Sequence, residues 1–294
     1  MTISGGVAVA YERSTLDGAK AGMTGYDASN NNITFKGVED LGNGLKAGFE
    51  LNKRFSPDTG KEYAGRSFEN SFVYLTGGFG GLKLGRHQAI SFAIYDAFLG
   101  FGVPFDDPKG PNSDRDYAFN QRAGSRYDSA ISYSTPNFGG FVATVVTTRN
   151  PNVNTDRDHT AISLAYANGP VSVMYGHEVV GAKIGDVRRS DKNLGVSYDF
   201  GVAKALLLWG QEGSAKSLTS IGALVPIGAS TKMKASYRTK GESVNAAGVK
   251  ASKEATWALG VDYALSKRTT LFTDYGDYKG SAQAAYRVGI KHTF

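Results

Sequence analysis

Lys232, Lys234 and Arg238 alternate with Met233, Ala235 and Tyr237, so an extended backbone would carry cations on one face and apolar side chains on the other. A wall of fixed cations can attract anions and bias their passage without any covalent step. Lys36 and Lys46 take the polar face of a second such stretch. Asp106, Asp107, Asp262 and Asp274 would act against them. Other chemistry finds less support. Gly42-Asn43-Gly44-Leu45-Lys46-Ala47 fits a dinucleotide fingerprint with an alanine ending, but that motif needs a helix after it, and Leu45 to Leu51 reads as a strand. His87, His159, His177 and His292 are far apart with no ligand spacing, so neither a metal nor a cofactor is called for. His159 beside Asp156 and Asp158 is the only local hydrolase candidate, and a hydrated loop explains it better.

The elements that would hold these charges are strands. The chain ends in Tyr286-Arg287-Val288-Gly289-Ile290-Lys291-His292-Thr293-Phe294, with Tyr286, Val288, Ile290 and Phe294 on one face. Ile3, Val7, Val9 and Tyr11 share a face near the start. Leu45, Ala47, Phe49 and Leu51 do so later, as do Leu194, Val196, Tyr198 and Phe200, then Trp257, Leu259, Val261, Tyr263 and Leu265. Counting by alternation gives about sixteen strands, and no helix-period segment is long enough to cover a sheet of them. The expected fold is all-β: one antiparallel transmembrane barrel over 1–294, lipid outside and water inside.

Composition agrees. Hydrophobic residues make up 41%, yet no run approaches the roughly 18 residues of a membrane helix, so a helical membrane protein is excluded and a barrel is not. The 38 glycines suit tight turns, and the 16 tyrosines suit aromatic belts at the membrane interfaces. With no cysteine there is neither a disulfide framework nor a thiolate metal site. The net charge of +6 is scattered, which argues against nucleic acid as a partner. Met1-Thr2-Ile3 leads straight into strand-like sequence, as expected of a mature exported chain with an added start methionine.

Short connections with turn chemistry (Gly42-Asn43-Gly44, Asn168-Gly169-Pro170, Phe200-Gly201) alternate with long polar ones, the arrangement of the two rims of an outer-membrane barrel. The longest connection, 88–124, carries Phe92, Tyr95, Phe98, Phe101 and Phe105. So aromatic a segment is expected to fold inward and narrow the channel, an ordered external lid being the alternative. Two strands, around Phe68 to Leu75 and Ala205 to Trp209, are apolar on both faces; for the first, burial against another subunit is one expected cause.

Several segments then resemble the general diffusion porins of Gram-negative outer membranes, especially those of β-proteobacteria. They are Lys36-Gly37-Val38-Glu39-Asp40-Leu41-Gly42-Asn43-Gly44-Leu45-Lys46-Ala47-Gly48-Phe49, Leu82-Lys83-Leu84-Gly85-Arg86 and Ser132-Tyr133-Ser134-Thr135-Pro136-Asn137-Phe138-Gly139-Gly140-Phe141. Tyr198-Asp199-Phe200-Gly201-Val202-Ala203-Lys204, Leu265-Ser266-Lys267-Arg268-Thr269 and the terminal strand complete the set. The resemblance implies a sixteen-stranded barrel, a homotrimer with an inward third external loop, contact with outer-membrane lipid and lipopolysaccharide, and recognition of Phe294 by the outer-membrane assembly machinery. It implies that Arg86 and Arg126 belong to a basic cluster facing an acidic loop segment, for which Asp106 and Asp107 are the candidates. Arg115 and Arg122 would add to the positive side. The family arginine is missing at Asn32, and Asn70 is a second departure.

The expected function is passive diffusion of ions and small hydrophilic solutes, leaning weakly to anions. A solute-specific anion channel of the same fold stands as the alternative, and a barrel hydrolase or a plugged structural barrel as readings from other classes.

Overall fold

The structure is a computed structural model that describes residues 1–14, 21–25, 31–62, 68–101, 126–149, 158–180, 189–212, 216–241, 243–244, 250–251, 254–279 and 283–294. Period-two alternation does form strands. In chain order they are β1 (Thr2–Ser14), β2 (Gly22–Gly25), β3 (Asn32–Gly42), β4 (Leu45–Arg54), β5 (Asn70–Gly77) and β6 (Gly80–Gln88). A helix, α1 (Ile90–Phe98), follows, and then β7 (Arg126–Ser134), β8 (Phe141–Thr148), β9 (His159–Asn168), β10 (Val171–Val180), β11 (Arg189–Asp199) and β12 (Lys204–Glu212). The rest are β13 (Lys216–Ile227), β14 (Thr231–Lys240), β15 (Ser243–Val244), β16 (Lys250–Ala251), β17 (Glu254–Ala264), β18 (Thr269–Lys279) and β19 (Gln283–Thr293).

From β3 to β14 each strand pairs antiparallel with the next, β14 then pairs with β17, β17 with β18 and β18 with β19, and β1 pairs with β19 from Gly6↔Thr293 to Ser14↔Ala285, which closes the ring. β2 and β3 both pair with β1, through Val9↔Gly25 and through Gly6↔Asn32, so together they fill one place. β15 and β16 pair only with each other. The result is a closed sixteen-place antiparallel barrel, as the alternation predicts. Closure leaves no open sheet edge, the condition for crossing lipid with strands.

The tight ends behave as read. In the β3–β4 turn, Gly42, Asn43 and Gly44 all have positive φ (86°, 52° and 77°), a path that asparagine tolerates and glycine takes freely. The opposite rim is less uniform than its sequence suggests: β12 ends at Glu212 and β13 begins at Lys216, and β18 ends at Lys279 with β19 beginning at Gln283.

Burial is inverted relative to a soluble protein. Large apolar side chains such as Leu259 (52% exposed) and Val288 (55%) lie on the outer face, while Glu12, Asp274 and Arg287 are buried inside. The main apolar cluster is also inside the ring, where Ile90, Ile94 and Phe98 of α1 meet Leu208, Leu218 and Ala161 of the wall. This helix was not foreseen. It is short and rich in β-branched and aromatic residues, so packing rather than intrinsic propensity forms it.

Two locally irregular strands now have causes. Leu206 and Leu208, on the inner face of β12, are 5% and 0% exposed within the region covered by α1 and the segment after it. Phe72 of β5 also points inward, 9% exposed, with its ring centroid 6.3 Å from those of Tyr74 and His87 and Lys83 Nζ 4.5 Å above it. The inner half of this strand's apolar character is thus accounted for by its own wall, while Val73, 54% exposed, lies on its outer face.

Candidate functional site

The inner surface is organised around α1. Its first N–H groups have no side-chain cap from their own turn. The wall supplies one instead: Ile90 N–H donates to Tyr127 Oη (3.1 Å) and Ser91 N–H to Glu178 Oε1 (2.6 Å). A buried carboxylate there also meets the positive end of the helix dipole. The wall is shaped to receive the helix. A Cβ on Gly176 would come within 2.7 Å of Ile90, and one on Gly195 would overlap the Phe98 ring. Only glycine lets the helix approach so closely.

On one side of α1 lies an arginine cluster. Arg126, 9% exposed, donates from Nε to Asn70 Oδ1 (3.0 Å), lies 3.6 Å from Glu69 and has its guanidinium 5.0 Å from the Phe92 ring centre. Arg54 and Arg86 are within electrostatic reach of it, and Arg86 forms an ion pair with Asp128 beside a β-bulge after Gly85. Asn70 also donates to Glu50 Oε1 (2.8 Å), and Glu50 meets Lys36 at 2.9 Å, so a polar chain runs from Arg126 along the wall to Lys36.

Arg54 was missed by the sequence reading, although it continues the inward register of Lys46, Glu50 and Asn52. It stands directly across from Asn32 in the β3–β4 ladder. The arginine expected at Asn32 is thus present one strand over, while the Asn32 amide oxygen accepts from Thr34 Oγ1 (3.1 Å) and Asn52 Nδ2 (3.2 Å).

The far wall carries a second set. One cross-strand row holds Lys234, Gly260, Asp274, Arg287 and Glu12, in which the charges alternate in sign. Lys234 Nζ reaches Asp274 (2.9 Å) and Asp262 (2.7 Å), Arg287 Nε reaches Glu12 Oε2 (2.5 Å), and Lys232 meets Asp262 at 3.1 Å. Phe101, just after α1, rests here with Lys234 Nζ 5.0 Å from its ring centre. Of the other expected lumen residues, Arg238 faces inward and is buried, and Lys46 faces inward and is exposed near a short turn. Phe294 and Gly5 exchange backbone hydrogen bonds at 3.0 Å, so the last residue is part of the closing seam.

Asp106, Asp107, Arg115, Arg122 and Phe105 lie outside the described residues, as does Asp156. His159, its expected partner, has its ring 6.0 Å from that of Tyr127. Among the described residues no group of three or more histidines and acids could hold a metal ion.

Comparison with known proteins points one way. A profile of the Gram-negative porin family matches residues 1–283. The outer membrane porin protein 32 of Delftia acidovorans is 30% identical over 330 aligned residues, covering 97% of this chain and 91% of that one. The solved anion-selective porin from Comamonas acidovorans superposes with a TM-score of 0.82 at 28% identity, covering 100% of this chain and 99% of the other. The trimer form of OmpT, an outer membrane protein of Vibrio cholerae, matches in fold alone, with a TM-score of 0.72 at 14% identity over 100% of this chain and 98% of that one.

Proposed function

The chain belongs to the Gram-negative porin family, an outer-membrane barrel for passive diffusion of ions and small hydrophilic solutes, and on that premise we propose how its channel selects. It leans weakly toward anions, and Arg54, Arg86 and Arg126 carry that lean. The observation behind this reading is the clustering of three arginines on the inner wall of β4, β6 and β7, with Arg126 fixed by Asn70 and Glu69. A cation held in a narrow, low-dielectric passage attracts anions more strongly than one in open water. The described wall interleaves acids with these arginines, which supports a weak lean rather than a strong one. The likeness to a porin named as anion-selective points the same way.

The whole of 1–294 forms one functional unit in this reading, and 88–124 is the segment that narrows the channel. Asp106 and Asp107 supply acid to the narrow point, and Arg115 and Arg122 add base. The unit works as a homotrimer in outer-membrane lipid and lipopolysaccharide, and Phe294 serves recognition by the assembly machinery before the seam closes. It passes solutes without turnover and is not an enzyme.

Reversal potential in a planar bilayer under a tenfold salt gradient tests the selectivity. The unaltered protein gives large steps and a small potential of anionic sign. Arg126→Gln moves that potential toward zero. An unchanged potential in both Arg126→Gln and Arg54→Gln removes the arginine cluster from selectivity.

A further inference from the structure

We propose that Arg238, Ser220 and Thr256 form an oxyanion-binding subsite on the inner wall, separate from the arginine cluster of β4, β6 and β7. It deepens the anion-leaning reading and rests on it for a reason to bind anions from the lumen. The three residues are direct neighbours across β13, β14 and β17, paired as Ser220↔Arg238 and Arg238↔Thr256. The adjacent row, Ile221, Tyr237 and Trp257, takes the opposite face, where Ile221 is 53% and Tyr237 44% exposed to the outside. Arg238, Ser220 and Thr256 therefore face inward. They are 4%, 2% and 3% exposed.

What sets Arg238 apart is that no acid among the described residues is paired with it. The two cations below it on the same face of β14, Lys234 and Lys232, are both matched by Asp262, and Lys234 by Asp274 as well. Arg238 has no ion pair with any acid among the described residues, and its Nη2 has no hydrogen-bond partner. A guanidinium withdrawn from water is costly unless an anion and acceptors compensate it. Every group in the row is a donor: a planar guanidinium fork with a hydroxyl on each side. That set suits an ion with several acceptor oxygens and negative charge, such as phosphate or sulfate. The next row down is Gly222, Ser236 and Ala258, whose short side chains bring no charge to compensate the fork. Gly100 and Phe101 lie against that small row and form a floor beneath the guanidinium.

Equilibrium dialysis of folded, detergent-solubilised full-length protein against radiolabelled inorganic phosphate tests this. The same preparations are then reconstituted in planar bilayers in chloride. We expect one saturable site per chain, weakened at least tenfold by Arg238→Gln and about threefold by Ser220→Ala or Thr256→Ala, and kept in Arg126→Gln. If Arg238→Gln fails to fold, the two hydroxyl variants decide. No saturable binding by protein that still conducts overturns the subsite and leaves the channel reading intact. Binding that all three variants leave unchanged also overturns it. Binding that follows the three residues in protein that passes no current supports the subsite and sinks the channel reading instead.

Discussion

Gly195→Ala should loosen the inner helix by a predictable amount. The new methyl would overlap the Phe98 ring, whose Cε2 would lie only 2.6 Å away, and Phe98 is 4% exposed with little room to retreat. Forcing one extra carbon into a packed site costs about 1–3 kcal/mol. The entropy that losing a glycine returns through the unfolded chain does not enter here, because Gly195 stays in the folded wall when α1 opens. Because the clash lies between wall and helix, the loss should appear first as local opening of α1 and only later as opening of the barrel. Hydrogen exchange read by mass spectrometry on a peptide spanning 88–101 measures this directly. Amides such as Ala93 and Leu99, bonded within the helix, should exchange about 5- to 150-fold faster if opening is an equilibrium step. Strands β17 to β19 serve as the internal reference and should not change. Gly22→Ala, where nothing lies within 4 Å of the added carbon, should leave α1 unaffected. Exchange over 88–101 at the unaltered rate in Gly195→Ala would refute the close approach of Phe98 to this wall.

Three further outcomes follow from the same geometry. Lys234→Met strips a cation from the buried Asp274 and should lower stability by about 1–3 kcal/mol; this is less than the ~3–5 of a fully uncompensated buried charge, because Arg287 is the next residue in the row. Adding Asp274→Asn should restore most of that loss in a thermal unfolding measurement, and a double variant no better than the single one counts against the pairing. Glu178→Ala removes the acceptor for Ser91 N–H and should cost about 0.5–2 kcal/mol, seen as faster exchange at the start of α1 and not across the barrel. Lys232→Gln breaks a pair whose lysine is 48% exposed, so unfolding should shift by under about 1 kcal/mol while the reversal potential moves toward cations. A stability loss as large as that of Lys234→Met would show that exposure does not separate these two lysines.

Most of the barrel was legible because lipid imposes one rule on every strand, and the alternation from Ile3 to Phe294 obeys it. The inner wall was harder to read. The doubly apolar Ala205 to Trp209 stretch already signalled that something apolar covers the lumen side there, and α1 is that cover. The helix itself gave no clear signal, since nine residues with three aromatics look like a loop until a concave wall packs them. Arg54 was missed for a different reason. The register was followed only to Asn52, and a strand end carries too few residues for alternation to be evident. Glu50, Glu69 and Glu178 carried no signal of their own, since which side chains meet across a barrel depends on ladder register, and sequence does not fix that.

The interleaving of charge also explains why a wall so rich in lysine and arginine should select only weakly. A unit charge 8 Å from a passing ion is worth about 0.5 kcal/mol in bulk water and about 2 kcal/mol at an effective dielectric of 20. Lys232 with Asp262 at 3.1 Å, or Arg287 with Glu12, presents a dipole at that range and contributes only a fraction of this. Such pairs set the wall's shape and hold Phe101 against it more than they steer ions. Net bias must come from cations whose neighbouring acids are fewer or farther away. Arg54, Arg86 and Arg126 face Glu69, Asp128 and Asp96 of α1, so acids interleave with all three, and the Arg126–Glu69 separation of 3.6 Å is the loosest of the ion pairs described. One uncompensated unit charge would yield a preference of roughly 2- to 30-fold on the same scale, which is the ceiling for this cluster, and mobile salt with a Debye length of about 10 Å at 0.1 M reduces it further. A channel built this way passes both signs and favours anions most at low salt.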